Sequence, residues 1–218
     1  MTSSDRPETI SQVSPRAKHH WAFRWRGSYG VVFIVPAVVL ALLSTPHVRQ
    51  ESWADVALES MGWVLFLAGA GLRFWATLYV GGRKSRELVS DGPYSACRHP
   101  LYVGTSLLFL SIASFLGSVT VLAGTLLSLL AYQLLTIPAE EDALREKLGQ
   151  AYDDYARVTP RFWLRPSRFR TPETVCFTVK SLAIECRRAV RWIVFPLALE
   201  VLNHLREMPW WPHPFSLP

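Results

Sequence analysis

Two short clusters carry the residue types best suited to chemistry. One is Arg98-His99, inside the string GPYSACRHPLYVG (Gly92 to Gly104), and the other is Glu140-Glu141, opening EEDALREKLGQAYDDY. Pro100 suits the first position of a helix, where its missing N–H costs nothing, and that makes His99 the N-cap. The unpaired N–H groups and dipole of such a helix start favour an anionic group, for instance a carboxylate. Arg98 adds a cation with bidentate reach. The same pair could equally hold a lipid phosphate, and residue types alone leave both readings open. Two adjacent glutamates at the membrane end of an apolar helix are costly unless they meet water or a cation. A carboxylate there can hold an ammonium, a sulfonium or ribose hydroxyls. The plainer reading is a solvated helix start with Glu141 and Arg145 as an i,i+4 pair. Cation and helix start on one wall, with carboxylates on the other, suit a zwitterionic ligand such as an amino acid moiety.

The elements that must bring these clusters together are apolar helices. Four hydrophobic runs stand out: Tyr29 to Ser44, Val56 to Val80, Leu101 to Leu116, and Val119 to Ile137. Only Gly117-Ser118 separates the last two, which demands a tight antiparallel hairpin. Gly104, Gly117 and Gly124, with several Ser and Ala, allow the helices to approach closely. Arg73 lies inside the second run and is expected to snorkel to the interface or to form an ion pair within the bundle. Basic residues concentrate before the first run (Arg16, Lys18, Arg24, Arg26), between the second and third (Arg83, Lys84, Arg86, Arg98), and after the fourth. By the positive-inside rule this alternation predicts four spans with both termini, and both polar clusters, on the cytoplasmic face.

Composition agrees. Half of the 218 residues are hydrophobic and nine are Trp, which points to the membrane class. The net charge of +6 then fits contact with anionic headgroups. No finger, RNP-like or helix-turn-helix pattern supports a nucleic-acid partner. Cys97, Cys176 and Cys186 lack metal-ligand spacing, so no metal is expected and the thiols read as reduced and buried or lipid-facing. The fold class expected is therefore all-α integral membrane, with about four transmembrane helices and cytoplasmic or interfacial C-terminal helices. Residues 1–28 read as a disordered or interfacial tail, 29–166 as the membrane-embedded core, and 167–218 as an amphipathic extension. Basic and apolar groups alternate along 174–205, and Trp192 to Leu202 is too short to span, so an interfacial helix pair is predicted there.

GPYSACRHPLYVG followed by EEDALREKLGQAYDDYARVTPR resembles the integral-membrane methyltransferases, which include isoprenylcysteine carboxyl methyltransferases and phospholipid N-methyltransferases. The resemblance runs from Gly81 to Arg161 and rests on R-H-P-x-Y-x-G together with the distant Glu-Glu pair. It implies S-adenosyl-L-methionine bound at the cytoplasmic face. The implied cofactor contacts are Arg86, Glu87, Leu88, Val89, Tyr94, His99, Pro100, Leu101 and Tyr102, with Glu140 from beyond the hairpin. Leu88, Val89 and Tyr94 would wall the adenine, and His99 would take the methionine carboxylate. The prenylcysteine enzymes have an arginine one turn before the first glutamate, where this chain has Thr136, so the resemblance implies the donor site and not the prenylcysteine acceptor. Methyl transfer needs alignment and exclusion of water. An amine, thiol or hydroxyl acceptor would also need a proton acceptor, for which Glu141 is the candidate. Arg98 would orient the cofactor or an anionic acceptor. Arg161 and Tyr155 are candidate substrate contacts, although Tyr152 and Tyr155 at i,i+3 also suit packing against the loop.

The function expected is a membrane methyltransferase acting on a lipidic or hydrophobic small molecule, carried by a carboxylate, amine, thiol or hydroxyl. Two other readings remain open: a nicotinamide-dependent membrane reductase related to sterol reductases, and a non-catalytic protein binding lipid or a partner through its basic C-terminal region. The oligomeric state leaves no mark on the sequence.

Overall fold

The computed structural model describes residues 28–45, 52–81, 88–175, 179–206, 208–212 and 214–215. The N-terminal aromatic-basic stretch, the link charges Arg83 and Lys84, and the expected cofactor residues Arg86 and Glu87 lie outside them. Among the described residues the secondary structure is helical. The elements are α1 (Ser28–Leu42), α2 (Trp53–Val80), a short α3 (Pro93–Ala96), α4 (Pro100–Leu116), α5 (Val119–Ala131), a π-helical turn (Tyr132–Thr136), α6 (Ile137–Leu148), α7 (Gln150–Val158) and α8 (Val179–Arg206).

Two stretches are long and apolar enough to cross a membrane, α2 and the continuous run Val119–Leu148, while Val32–Leu42 and α4 are apolar but shorter. The sequence gives each its boundaries. Ser52 caps α2 by accepting from the Asp55 N–H at 3.2 Å. Gly117 ends α4 in the left-handed region at φ 51°, where only glycine turns without strain, and Ser118 caps α5. Small residues that permit backbone contact let these apolar helices pack closely. At the α2–α4 crossing a Cβ on Gly104 would stand 2.7 Å from Arg73 Cγ and 2.9 Å from the Gly69 carbonyl oxygen. Around that crossing Phe66, Leu108, Ile112, Phe115, Val121 and Leu199 form one buried cluster.

The C-terminal region departs from expectation. It is not a pair of interfacial helices but one helix, α8, of 28 residues with Pro196 inside it. At 1.5 Å per residue that is about 42 Å, the length of α2. α8 runs antiparallel to α2: Gly81 packs on Ser181, Arg73 bonds Glu185 at 3.2 Å, and farther along Asn203 Nδ2 donates to the Phe115 carbonyl at 2.7 Å. Beyond it Arg206 donates to the Ser44 carbonyl at 2.9 Å and Trp211 Nε1 to that of Leu42 at 2.8 Å. The end of α8 therefore sits at the end of the bundle where α1 and α4 finish, whereas Arg98 and His99 lie where α4 begins. The expectation that the C-terminus shares a face with the polar clusters does not hold for this bundle. Charge and a central proline hid a bundle-length helix from a hydropathy reading.

Candidate functional site

The polar clusters meet at the end of the bundle where α2 finishes and α4 begins. Gly92 opens the loop with φ 59°, and any side chain there would collide with the Tyr79 ring. The loop is then strapped from outside by the chain that follows α7. Gly92 N–H donates to the Arg170 carbonyl at 2.7 Å, Arg98 N–H to that of Pro160 at 2.9 Å, and Arg165 N–H to that of Ala96 at 2.9 Å. Tyr155 Oη donates to the Tyr94 carbonyl at 2.7 Å, the packing role its spacing allowed. Cys97 is fully buried under this strap, and burial pushes its thiol up to about 11.

The two adjacent glutamates have different surroundings. Helix neighbours differ by about 100° in direction, so the pair cannot face one wall. Glu141 is completely buried and held on several sides. Arg161 grips it in bidentate fashion, Nε to Oε1 at 3.1 Å and Nη2 to Oε2 at 2.7 Å. Arg98 Nη1 reaches Oε1 at 2.8 Å, His99 Nε2 lies 3.2 Å from the same oxygen, and Arg145 approaches Oε2 at 4.0 Å. The bond to Glu141 is also the leading reason the Arg161 guanidinium holds its proton more tightly than usual. A carboxylate so occupied has little capacity to accept another proton, which argues against the expected general base. Arg161 faces this carboxylate and does not line the cleft.

Glu140 faces the other way, into a cleft lined by Val80, Leu88, Val89, Tyr94, Arg98, His99, Leu101, Tyr102, Leu144, Leu148, Tyr152 and Tyr155. Its cavity volume is about 110 Å³, and about 730 Å³ counting the open mouth. Tyr102 Oη donates to Glu140 Oε2 at 2.8 Å. No basic side chain among the described residues forms an ion pair with Glu140. The π-helical turn just before α6 sets this division. Pro138 has no N–H to give Leu134, the helix widens, and Ile137 N–H reaches back five residues to the Tyr132 carbonyl. One extra residue in a turn rotates everything after it by about 100°.

The helix start offers less to an anion than its sequence promised. Pro100 has no N–H, and Tyr102 and Val103 give theirs to the His99 carbonyl at 3.0 and 3.1 Å. That leaves the Leu101 N–H. Arg98 adds positive charge to the cleft wall, although its Nη1 is already bonded to Glu141. Of the residues expected at the cofactor, Leu88, Val89, Tyr94, His99, Leu101, Tyr102 and Glu140 come together, and Arg98 and Tyr155 join them. Pro100 is buried behind the cleft as the first residue of α4. Val80, Leu144, Leu148 and Tyr152 were missed. Leu144 and Leu148 stand four and eight residues after Glu140, a helical periodicity that could have found them. Thr136 is buried in the π turn and outside the cleft lining.

A model of the phospholipid methyltransferase family matches residues 56–151, from the start of α2 through the glutamate pair to α7. The nickel-cobalt-cadmium resistance protein NccN of Alcaligenes xylosoxydans xylosoxydans is 33% identical over 198 residues, covering 90% of this chain and 92% of that one. The chain belongs to the phospholipid methyltransferase family. The cobalt-zinc-cadmium resistance protein CzcN of Cupriavidus metallidurans is 36% identical over 184 residues, 79% of this chain and 82% of its own. No solved structure matches at a significant level. The family points to a membrane methyltransferase, while these relatives are named for metal resistance. The family match stops short of Tyr155, Arg161 and α8.

Proposed function

We propose that this chain is a membrane-embedded methyltransferase that binds S-adenosyl-L-methionine in the cleft between Arg98 and Glu140 and methylates a lipidic or hydrophobic acceptor. The observation that carries this reading is Glu140, a carboxylate without an ionic partner among the described residues, lining one cleft with Arg98. The cleft fits the charge pattern of the cofactor. Glu140 would receive its ammonium group, and the Leu101 N–H beside the positive charge of Arg98 would receive its carboxylate. Val80, Leu88, Val89, Leu144 and Leu148 would form the apolar wall against adenine. A ligand of that size fills the mouth as well as the enclosed part. When bound, the cofactor supplies a transferable methyl group on a sulfonium.

The chain itself would supply alignment and dryness. His99 and Arg98 are fixed from behind by Glu141, which thus acts as a positioning residue, and the strap from Pro160 to Arg170 closes the outside of the loop. Arg161 acts through the same carboxylate. With Glu141 occupied, the reading favours an acceptor that needs no proton removed, such as a carboxylate, or one whose proton leaves to water. The bundle orientation proposed has the cleft at the cytoplasmic face and α1, α2, α4, α5–α6 and α8 all crossing, with the core at 29–166 and α8 completing it. The names of the relatives suggest that the methylated product serves survival under metal stress.

Calorimetric titration of the detergent-purified protein separates the readings. Binding of S-adenosyl-L-methionine supports the proposal. Binding of NADPH alone would transfer support to a reductase, and binding of neither would leave a lipid- or partner-binding protein. Incubating membranes with methyl-labelled cofactor then identifies the acceptor fraction.

A further inference from the structure

On the other side of Leu101 from the cleft lies a second site. Arg73 of α2 gives one Nη1 bond to Thr105 Oγ1 at 2.6 Å and a longer one to the Leu101 carbonyl at 3.5 Å. Its Nη2 meets Glu185 Oε1 at 3.2 Å, and the other oxygen of Glu185 receives Arg188 at 3.1 Å. Two guanidinium groups therefore share one carboxylate. Arg191, one turn farther along α8, has no ion pair with an acid among the described residues. These three arginines, with Trp192 and Phe195, line a cavity of about 330 Å³. Arg191 also borders a neighbouring cavity with Ile184 and Arg187.

The charge in this cavity is unbalanced: three cations and one anion. Arg73 Nε is buried and has no hydrogen-bond partner among the described residues. The charge imbalance is costly beside the apolar residues that α8 exposes next to it, Val190, Ile193, Val194, Phe195 and Leu197. An anion placed among the arginines offsets the charge imbalance. Its remaining part must be apolar, because Trp192 and Phe195 form the wall and lipid-facing residues surround it.

We propose that the cavity between α2 and α8 binds the phosphate of an anionic phospholipid, with Arg73, Arg188 and Arg191 as the phosphate contacts and Trp192 and Phe195 against the acyl chains. The lipid would clamp α8 onto α2, beside the cleft but not in it. This site is independent of whether the cleft binds the cofactor.

The test is thermal stabilisation of the full-length detergent-purified protein by short-chain phosphatidylglycerol, with phosphatidylcholine and inorganic phosphate as the other probes. Arg191→Gln is the variant of choice, since Arg191 is exposed and forms no ion pair that folding would lose. Phosphatidylglycerol should stabilise the wild type more than phosphatidylcholine, and Arg191→Gln should weaken its binding about fivefold, the worth of one arginine near a lipid headgroup. Arg191→Lys should retain most of the effect. Equal stabilisation by the two lipids, or unchanged phosphatidylglycerol affinity in Arg191→Gln, would overturn the proposal. So would inorganic phosphate acting as strongly as the lipid, which would make the ligand a free anion.

Discussion

Glu140 and Glu141 are chemically identical neighbours with opposite assignments, and replacing each by glutamine separates them. Glu141→Gln removes the charge that balances Arg98, Arg161 and, when protonated, His99, while keeping the shape and one acceptor oxygen. Removing one partner of a buried ion pair costs about 3–5 kcal/mol, and the retained carbonyl argues for about 3. Each kcal/mol moves the midpoint of a chain this long by about 2–4 °C, so thermal denaturation in detergent should fall by about 6–12 °C. Glu140→Gln loses no ion pair, and an amide oxygen can still accept from Tyr102, so stability should change by less than about 1 kcal/mol. Its binding of S-adenosyl-L-methionine should instead weaken at least tenfold, about 1.4 kcal/mol. The two assays, melting and calorimetric titration, should thus respond to different members of the pair. A stable Glu141→Gln protein beside an unstable Glu140→Gln protein would refute the orientation deduced for α6, and with it the role given to the π turn.

His99→Ala should weaken cofactor binding at least tenfold by titration, because it removes a cleft wall fixed by Glu141. Cys97, with its thiol raised to about 11 by burial, stays protonated at neutral and mildly alkaline pH; iodoacetamide at pH 8 followed by peptide mass analysis should find it unmodified until the protein is denatured. Gly104→Ala should destabilise the protein by about 1–3 kcal/mol in melting experiments, because the new methyl must push apart Arg73 and the Gly69 backbone. Reporter fusions after the last residue should report the face opposite to a tag inserted in the strap near Trp163, since the end of α8 and the cleft lie at opposite ends of the bundle.

What the sequence by itself determined was local and periodic. The caps at Ser52, Ser118 and Gly117, the start of α4 at Pro100, and the apolar lengths of α2 and α5 follow from residue type and order. So does the pairing of the Arg98-His99 cluster with the glutamates, because a two-residue link leaves the chain little choice but to return. The cleft was legible in part for the same reason: five of its thirteen lining residues lie in the loop and first turn that GPYSACRHPLYVG encodes. Tertiary structure decided what depends on direction and distant partners. Which glutamate faces the cleft is a matter of rotation, fixed by one proline and a widened turn; the family resemblance named Glu140, but residue type alone does not distinguish the pair. Arg161 looked like a substrate cation until folding brought it onto Glu141. Glu185, twenty-five residues past Pro160 in a charged stretch, meets Arg73 inside the bundle and makes α8 a helix of the core. A charge's role depends on the sign of what lies beside it, and only the fold supplies that neighbour.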